Sequence, residues 1–273
     1  EWGGSTRHFF DTAGRYSVRW ESTESARARP RDLDWTLPAW PHHRPITFWE
    51  AAAPAGERAI RPDGSLSDWE RLQSERDLLA QWPGAEGAEW TPVRLKRLHL
   101  LFSAALQKIL RHIGTDPMDP AALAQHRFHF SSPAAGLALA EYLRLLLDTA
   151  HFTWEEAWNQ VQTTTQILLL DPPAEETPRI PIALLEALLP RHLEIIYEAN
   201  RRHLDQVNSL FRGDLHQMRR LSVIEESPVK SLRLRNWCLL AAGSCEVPSC
   251  FEGDENPAWH RIAPDRIQPR PPG

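Results

Sequence analysis

PRHLEIIYEANRRHLDQVNSLFRGDLHQMRRLSVIEE, residues 190–226, is the stretch on which the reading of this chain turns. Pro190 stands where a helix needs no backbone N–H, and Leu193, Ile196, Tyr197, Leu204 and Val207 then recur at helical spacing. The spacing predicts a long amphipathic helix over 190–211, stopped by Gly213 and followed by a short helix over 216–221. Just upstream, residues 181–189 also begin with proline at a first turn and predict a second amphipathic helix.

Working toward the N-terminus, Thr153 with Glu156 makes a capping box, predicting a helix that runs to about Leu168 before Asp171-Pro172-Pro173 breaks it. Residues 134–149 read as helix, 127–130 as a brief buried strand and 120–126 as a short helix. Thr91 as N-cap, Pro92 at the first helical position and Gly114 as terminator frame another helix. Its apolar face is expected to be Leu95, Leu98, Phe102, Ala105, Leu106, Ile109 and Ile113. Ser67 with Glu70 makes a second capping box ahead of a helical run over 69–82, stopped by Pro83-Gly84. Residues 1–64, rich in Trp, Pro, Arg and Gly, hold no helical period and predict irregular structure with short strands over 16–21 and 45–49. Beyond the quoted stretch, the apolar run 237–242 suits a buried strand, and the Pro-rich, charged tail from Glu252 is expected to be loose.

The 273 residues carry 31 Lys plus Arg against 36 Asp plus Glu, a net charge of −5, which excludes a strongly basic nucleic-acid binder. No run of 18 apolar residues and no N-terminal h-region are present, so neither a membrane span nor a secretion signal is expected. The cysteines Cys238, Cys245 and Cys250 lie close together near the C-terminus, unlike a dispersed disulfide framework, and a reducing cytoplasm is the expected compartment. The chain begins with Glu1, which is consistent with a processed form or a fragment.

Residue chemistry alone names no enzyme class. Glu194 and Glu198 are four apart on one helix face, as a general acid and base could be, but Arg191, Arg201 and Arg202 beside them predict a solvated ion-pair face. His99, His112, His126 and His129 fit neither zinc-finger nor H-E-x-x-H spacing and are expected at half-buried positions without a metal. Cys238, Cys245 and Cys250 with His260 have zinc-type donors at unsuitable gaps, which predicts buried thiols instead. Gly243-Ser244 could form a strand-to-helix turn offering N–H groups to a phosphate. Only Lys96, Lys108 and Lys230 could form a Schiff base, and the 12 Trp could stack on sugar rings, although core packing is the default.

Residues 190–226 closely resemble a segment of the α-glucan phosphorylases, the pyridoxal-phosphate-dependent phosphorylases of glycogen, starch and maltodextrin. RLKRLHLLFSAALQKILRHI (94–113) is similar to the family's RLKQEYFFVSASLQDILRR, FTWEEAW (152–158) to its LSWDEAW, and Glu1-Trp2-Gly3 to its EYG. The resemblance is strong over 94–250 and faint over 1–93, where a large shortening is expected. It implies an α/β, predominantly helical fold: part of the N-terminal Rossmann-like domain of a GT-B-type glycosyltransferase. The division implied is an irregular Trp/Pro-rich segment (1–64), a phosphorylase-like helical α/β region (65–250) and a loose tail (251–273). Strands deprived of the first βαβ units would leave open edges, which predicts a repacked helical domain or marginal stability without partners.

The resemblance also locates losses. The family's QLNDTHP falls on His129, Phe130, Ser131, Ser132, Pro133, Ala134 and Ala135, so its active-site histidine position is Ala134. Its YTNHT falls on Ile167, Leu168, Leu169, Leu170 and Asp171, and its GSHAVNG on Gly243, Ser244, Cys245, Glu246, Val247, Pro248 and Ser249. The family's cofactor lysine lies in a second domain that would follow residue 250, and Lys96, Lys108 and Lys230 do not match its motif. The expectation is therefore a phosphorylase relative of glycogen degradation that is inactive as this chain, with no catalytic, cofactor-binding or metal residues of its own and no bound pyridoxal phosphate. Two alternatives stand beside it: a fragment of an active phosphorylase, and a non-catalytic protein that binds α-glucan or pairs, as a homodimer or with a full-length phosphorylase.

Overall fold

The computed structural model describes residues 1–12, 14–34, 45–51, 78, 90–114, 119–169, 179–247 and 256–269. Its centre is a sheet in which β5 (Phe128–Phe130), β6 (Thr165–Leu168), β10 (Ser244–Val247) and β11 (Ile267–Pro269) lie side by side in sequence order, all parallel. Parallel neighbours require crossovers, and helices supply them. Between β5 and β6 come a 3₁₀ turn (Pro133–Ala135), α3 (Gly136–Arg144), a π turn (Leu145–Thr149) and α4 (Trp154–Thr164). Between β6 and β10 come α5 (Ile182–Leu188), α6 (Pro190–Leu210), α7 (Leu215–Leu221) and α8 (Leu234–Ala241), and between β10 and β11 comes α9 (Asn256–Ile262). Ahead of β5 lie α1 (Pro92–Ile113) and the single turn α2 (Pro120–Leu123).

A small antiparallel sheet joins β7 (Arg179–Pro181), β9 (Ser231–Arg233) and β8 (Ile224–Glu225). The N-terminal segment forms two antiparallel pairs, β1 (Ser5–Phe10) with β2 (Tyr16–Glu21) and β3 (Ala28–Asp34) with β4 (Pro45–Ala51). Strands β2 and β4 match the expectation for 1–64; their partners are additional.

The hub is α3. GLALAEYLR is buried on every side from Gly136 to Leu143, and it touches α1, α4, α6 and α8. A helix apolar on all faces but for one paired carboxylate, Glu141, belongs in the interior. Gly136 is required by the approach of α8: a Cβ there would lie 2.9 Å from Trp237 Cδ1, and Trp237 Nε1 donates to Gly136 O at 2.7 Å.

Local chemistry explains the matches. The Thr91 hydroxyl accepts from Arg94 N at 3.2 Å, Gly114 terminates α1 at φ 55, and both arms of the Thr153–Glu156 capping box are formed.

Several expectations are corrected. The run 237–242 is not a strand: it is buried helix in α8, and the strand follows it as β10. A short apolar run has no period to separate the two. The helix from Trp154 stops at Thr164, and 165–168 is strand β6; the Thr164 and Thr165 hydroxyls donate to Gln160 O and Val161 O, each at 2.7 Å, and close the last turn. Gly243-Ser244 leads from helix to strand, the reverse of a phosphate turn, and Gly243 N–H is taken by the Thr165 hydroxyl at 3.1 Å. Within the stretch expected to be loose, α9 and β11 are formed, with Trp259 and Ile267 buried and β11 completing the parallel sheet. On α6, Tyr197 is 36% exposed, and the buried seam runs through Leu193, Ile196, Asn200, His203 and Val207. The capping box at Ser67 and the helix over 69–82 lie outside the described residues apart from Leu78, which is helical and buried.

The face of α1 is the most consequential correction. Ile109 is 39% exposed, and the buried side carries Leu95, His99, Ser103, Leu106 and Leu110. Three polar residues, Arg97, His99 and Ser103, sit inside: Arg97 Nε donates to Leu78 O and Ser103 Oγ to Glu141 Oε1, each at 2.6 Å, while the His99 ring packs edge-on against His192.

Candidate functional site

Two places could carry chemistry. The first is the carboxyl edge of the parallel sheet, where open α/β sheets bind ligands. Of the replaced family motifs, the described residues 129–135, 167–169 and 243–247 run along or just past β5, β6 and β10, so the register brings them together there; residues 170, 171, 248 and 249 lie outside the described residues. Phe130 stands opposite Ile167 and Glu246 opposite Leu168. Ala134 lies in the 3₁₀ turn after β5, its N–H donating to Ser132 Oγ at 3.2 Å, while Ser131 and Ser132 are exposed. The remaining polar link is a 2.6 Å hydrogen bond from Gln166 Nε2 to Glu246 Oε1. Among the described residues, the turn that carries Ser131, Ser132 and Ala134 offers no acid, base or charged anchor, and the acid and base groups nearby are Glu246, bonded to Gln166, and the exposed His129.

The second place is a buried polar centre where α1, α3 and α6 meet. Glu141, with no exposed surface, accepts four hydrogen bonds. Arg144 Nε and Nη2 donate to Oε2 and Oε1 at 2.6 and 2.8 Å, Ser103 Oγ donates to Oε1 at 2.6 Å, and His192 Nε2 lies 2.7 Å from Oε2. Gln107 Nε2 donates to Ser103 Oγ at 2.9 Å. The His99 ring stands edge-on to that of His192, centroids 4.9 Å apart at 86°, and Trp20 covers His192 at 5.5 Å.

The charges in this centre follow from burial and pairing. Burial alone would raise the Glu141 carboxyl, but the Arg144 charge and the hydrogen bonds from Arg144 and His192 outweigh it and hold it well below the usual carboxylate range. Burial is the largest influence on His99 and His192 and lowers both, only partly opposed by Glu141, so both imidazoles are neutral. The His192 Nε2–H therefore donates to Glu141, and the Nδ1 atoms of His99 and His192 are buried with no hydrogen-bond partner.

Above this centre open two clefts that share Trp20 and Arg144 as a wall. One, of about 1020 Å³, presents Tyr16, Trp20, Phe152 and Trp154 beside Asp11, Arg15, Glu198 and Arg202. Arg202 lies over the Trp154 ring at 4.9 Å, and Trp154 stacks on Trp158. His8 Nδ1 is 2.5 Å from the Tyr16 hydroxyl and its Nε2 is 3.3 Å from Glu194 Oε1, which also accepts from Thr6 Oγ1. The other, of about 1110 Å³, runs from Trp49 and Lys108 to His99 and Ser103.

The residues singled out from the sequence scatter across the molecule. Glu198 pairs with Arg201 and Arg202, which hold it down to about 2, and Glu194 pairs with Arg191, so the ion-pair reading of that helix face is correct. His112, His126 and His129 are exposed and His99 is buried, none of them the half-buried residue expected. Cys238 and Cys245 are buried thiols pushed up by burial, Cys245 to about 12, whereas Cys250 lies outside the described residues. Lys96 pairs with Glu24, Lys108 with Asp32 and Lys230 with Glu226. Each lysine ammonium is thus engaged by a carboxylate, which does not fit the free amine that a Schiff base to pyridoxal phosphate needs.

Sequence reasoning missed His192, Glu141, Arg144 and Ser103 as a unit. A signal was present: His99, Ser103 and Gln107 recur every four residues, a polar stripe beside the apolar positions Leu95, Leu106 and Leu110 of the same helix.

Among the described residues no helix is long and apolar enough to cross a membrane. A family model described as carbohydrate phosphorylase matches residues 1–248. The chain is 30% identical over 241 residues to the brain form of glycogen phosphorylase from Homo sapiens and to that from Rattus norvegicus, and 29% identical to the liver form from Ovis aries. Each alignment covers 82% of this chain but 28% of the relative, so the chain spans under a third of the length of these relatives.

Proposed function

The chain belongs to the carbohydrate phosphorylase family, and from that membership we propose that it holds α-glucan without itself carrying out phosphorolysis at the sheet's carboxyl edge. The observation that carries the reading is Ala134 in the turn after β5, at the position the resemblance assigns to the active-site histidine. A methyl group neither moves a proton nor orients a sugar hydroxyl, and sites built on such hydrogen bonds lose several powers of ten without them. The four-stranded parallel sheet with helical crossovers supports assignment to part of the N-terminal Rossmann-like domain of a GT-B-type glycosyltransferase. The compartment proposed is the cytoplasm, and the macromolecular partner a second copy or a full-length phosphorylase.

The cleft beside β2 supports glucan binding. Tyr16 and Phe152 offer aromatic faces to pyranose rings, while Asp11 and Arg15, paired with each other, and Glu198, paired with Arg202, line the cleft as polar groups that sugar hydroxyls can reach. Affinity electrophoresis in glycogen-containing gels is expected to retard the chain, with Tyr16→Ala restoring free migration. Unchanged migration of the unmodified chain would remove the glucan reading. Separately, phosphate release from glucose 1-phosphate with maltoheptaose and added pyridoxal phosphate is expected to be nil; turnover would show that the edge site is live despite Ala134.

A further inference from the structure

We propose that His99, Glu141 and His192 form a zinc(II) site at the junction of α1, α3 and α6. One nitrogen of each imidazole and one carboxylate oxygen lie within 4.8 Å of one another, all three residues are buried, and each comes from a different helix of the core. Bonds of about 2.0 to 2.1 Å place the ligands of one tetrahedral ion roughly 3.3 Å apart, so side-chain adjustments of about an ångström would close the shell. Two imidazoles and one carboxylate are a recurrent zinc donor set that leaves a fourth position open.

A second, independent observation points to a ligand. Buried polar atoms are almost always hydrogen-bonded, yet Nδ1 of the fully buried His99 ring has no partner. The Glu141–Arg144 pair does not account for this atom, since His99 makes no hydrogen bond to it.

The protonation states already suit a metal, which binds neutral imidazole and ionised carboxylate. Burial keeps both histidines neutral, and Arg144 keeps Glu141 ionised. The exchange balances without redox chemistry. Zinc takes the place of the proton between His192 Nε2 and Glu141 Oε2, and the neutral ring carries its single proton on Nδ1. Because that atom has no partner now, the tautomer change breaks no bond beyond the one the metal replaces. Ser103 and Arg144 remain on the carboxylate as outer partners that fix its orientation. Arg144 also repels the cation, which makes the site weaker than one without a guanidinium beside it.

The test uses the untagged full chain, stripped of metal with a chelator, and titrates zinc(II) alone by calorimetry. Cobalt(II) then serves as a spectroscopic reporter of coordination number. One equivalent of zinc is expected, with cobalt giving the visible bands of a low-coordinate nitrogen and oxygen shell. His99→Phe is expected to abolish binding while the circular dichroism spectrum is kept, since His99 contributes no hydrogen bond to the ion-pair network. Ser103→Ala is expected to weaken binding about tenfold. If the unmodified chain binds no zinc, or if folded His99→Phe binds it equally well, the proposal is wrong; in the second case the ion sits on other residues. Should His192→Phe fail to fold, His99→Phe alone decides.

Discussion

The carboxyl edge of the parallel sheet and the polar centre beneath Trp20 lie in one core, yet they hold their polar groups in opposite ways. At the edge, the positions that resemble family motifs carry Phe130, Ser131, Ser132, Ala134, Leu168 and Leu169, and those side chains make few polar contacts. In the centre, Glu141 alone gathers donors from Arg144, Ser103 and His192, which ties three helices together. The difference is one of dependence. A polar side chain at an open edge can be exchanged for a small or apolar one with little effect on folding. A buried charge cannot lose a partner without leaving the other uncompensated. A binding site and a structural ion pair, built from the same residue types, therefore tolerate substitution very differently.

The comparison breaks most visibly at Arg144. Arg144→Met leaves the Glu141 carboxylate in the core with only Ser103 and His192 as donors, and removes the guanidinium that lies over Trp20. Loss of one partner of a buried pair costs about 3–5 kcal/mol. Urea unfolding followed by tryptophan fluorescence is expected to show a fall of that size, with part of it regained in the double variant Glu141→Leu/Arg144→Met. A loss below about 1 kcal/mol would mean that water reaches Glu141 and that the centre is not the lock described.

Acid probes the same centre more gently. His99 and His192 are held below the ordinary histidine value by burial, and His203, in a second buried position, is held at about 4. The unfolded chain takes up protons at these rings near pH 6.5 and the folded chain does not, so stability is complete above that value and falls as the pH drops below it. Each ring contributes up to about 1.4 kcal/mol per pH unit until its folded value is reached. Glu141, whose folded value is depressed, adds stability above the ordinary carboxylate range that is lost as the pH falls through its folded value. Melts between about pH 7.5 and 5 are therefore expected to show a steady decline that is shallower by one proton in His99→Phe. An unchanged slope in that variant would place His99 in contact with solvent.

Much of the frame was legible in the residues because it rests on local chemistry. Thr91, Pro92 and Gly114 bound α1, Thr153 and Glu156 open α4, and Pro190 opens α6, each through a hydrogen bond or a dihedral that sequence encodes within one turn. What was not legible depends on distant partners. The apolar run in α8 has no period to distinguish helix from strand, and β11 forms from a Pro-rich tail because β10 is there to pair with it. The polar centre was hidden for the same reason, since His99 looks like any histidine until Glu141 and His192, far along the chain, fold against it. The family segment that α1 resembles, RLKQEYFFVSASLQDILRR, differs from it at one point of the centre. It has serine and glutamine at the places of Ser103 and Gln107 but tyrosine at the place of His99. The second imidazole is thus an exchange at one position on an otherwise matching polar stripe.

The smallest expected effect sharpens the other side of the comparison. Ala134→His restores to the turn after β5 the residue type that the resemblance implies, at a half-buried position in a short 3₁₀ segment. The new ring can turn outward past the exposed Ser131 and Ser132, so stability is expected to change by no more than about 0.5 kcal/mol in urea unfolding. Phosphorolysis is not expected to appear, and retention in glycogen gels is expected to stay as it was, because the cleft of Tyr16 and Trp154 does not include this turn. A histidine acts on a sugar through partners that orient it, and the neighbouring strand presents Ile167, Leu168 and Leu169 instead. If the single change did yield turnover, the missing function would reside in one side chain, and the edge would have to be a site poised but disarmed. If it yields none, recovery requires several polar groups at once on three strand ends. That is what sets this edge apart from a centre in which the removal of one residue is felt by all the others.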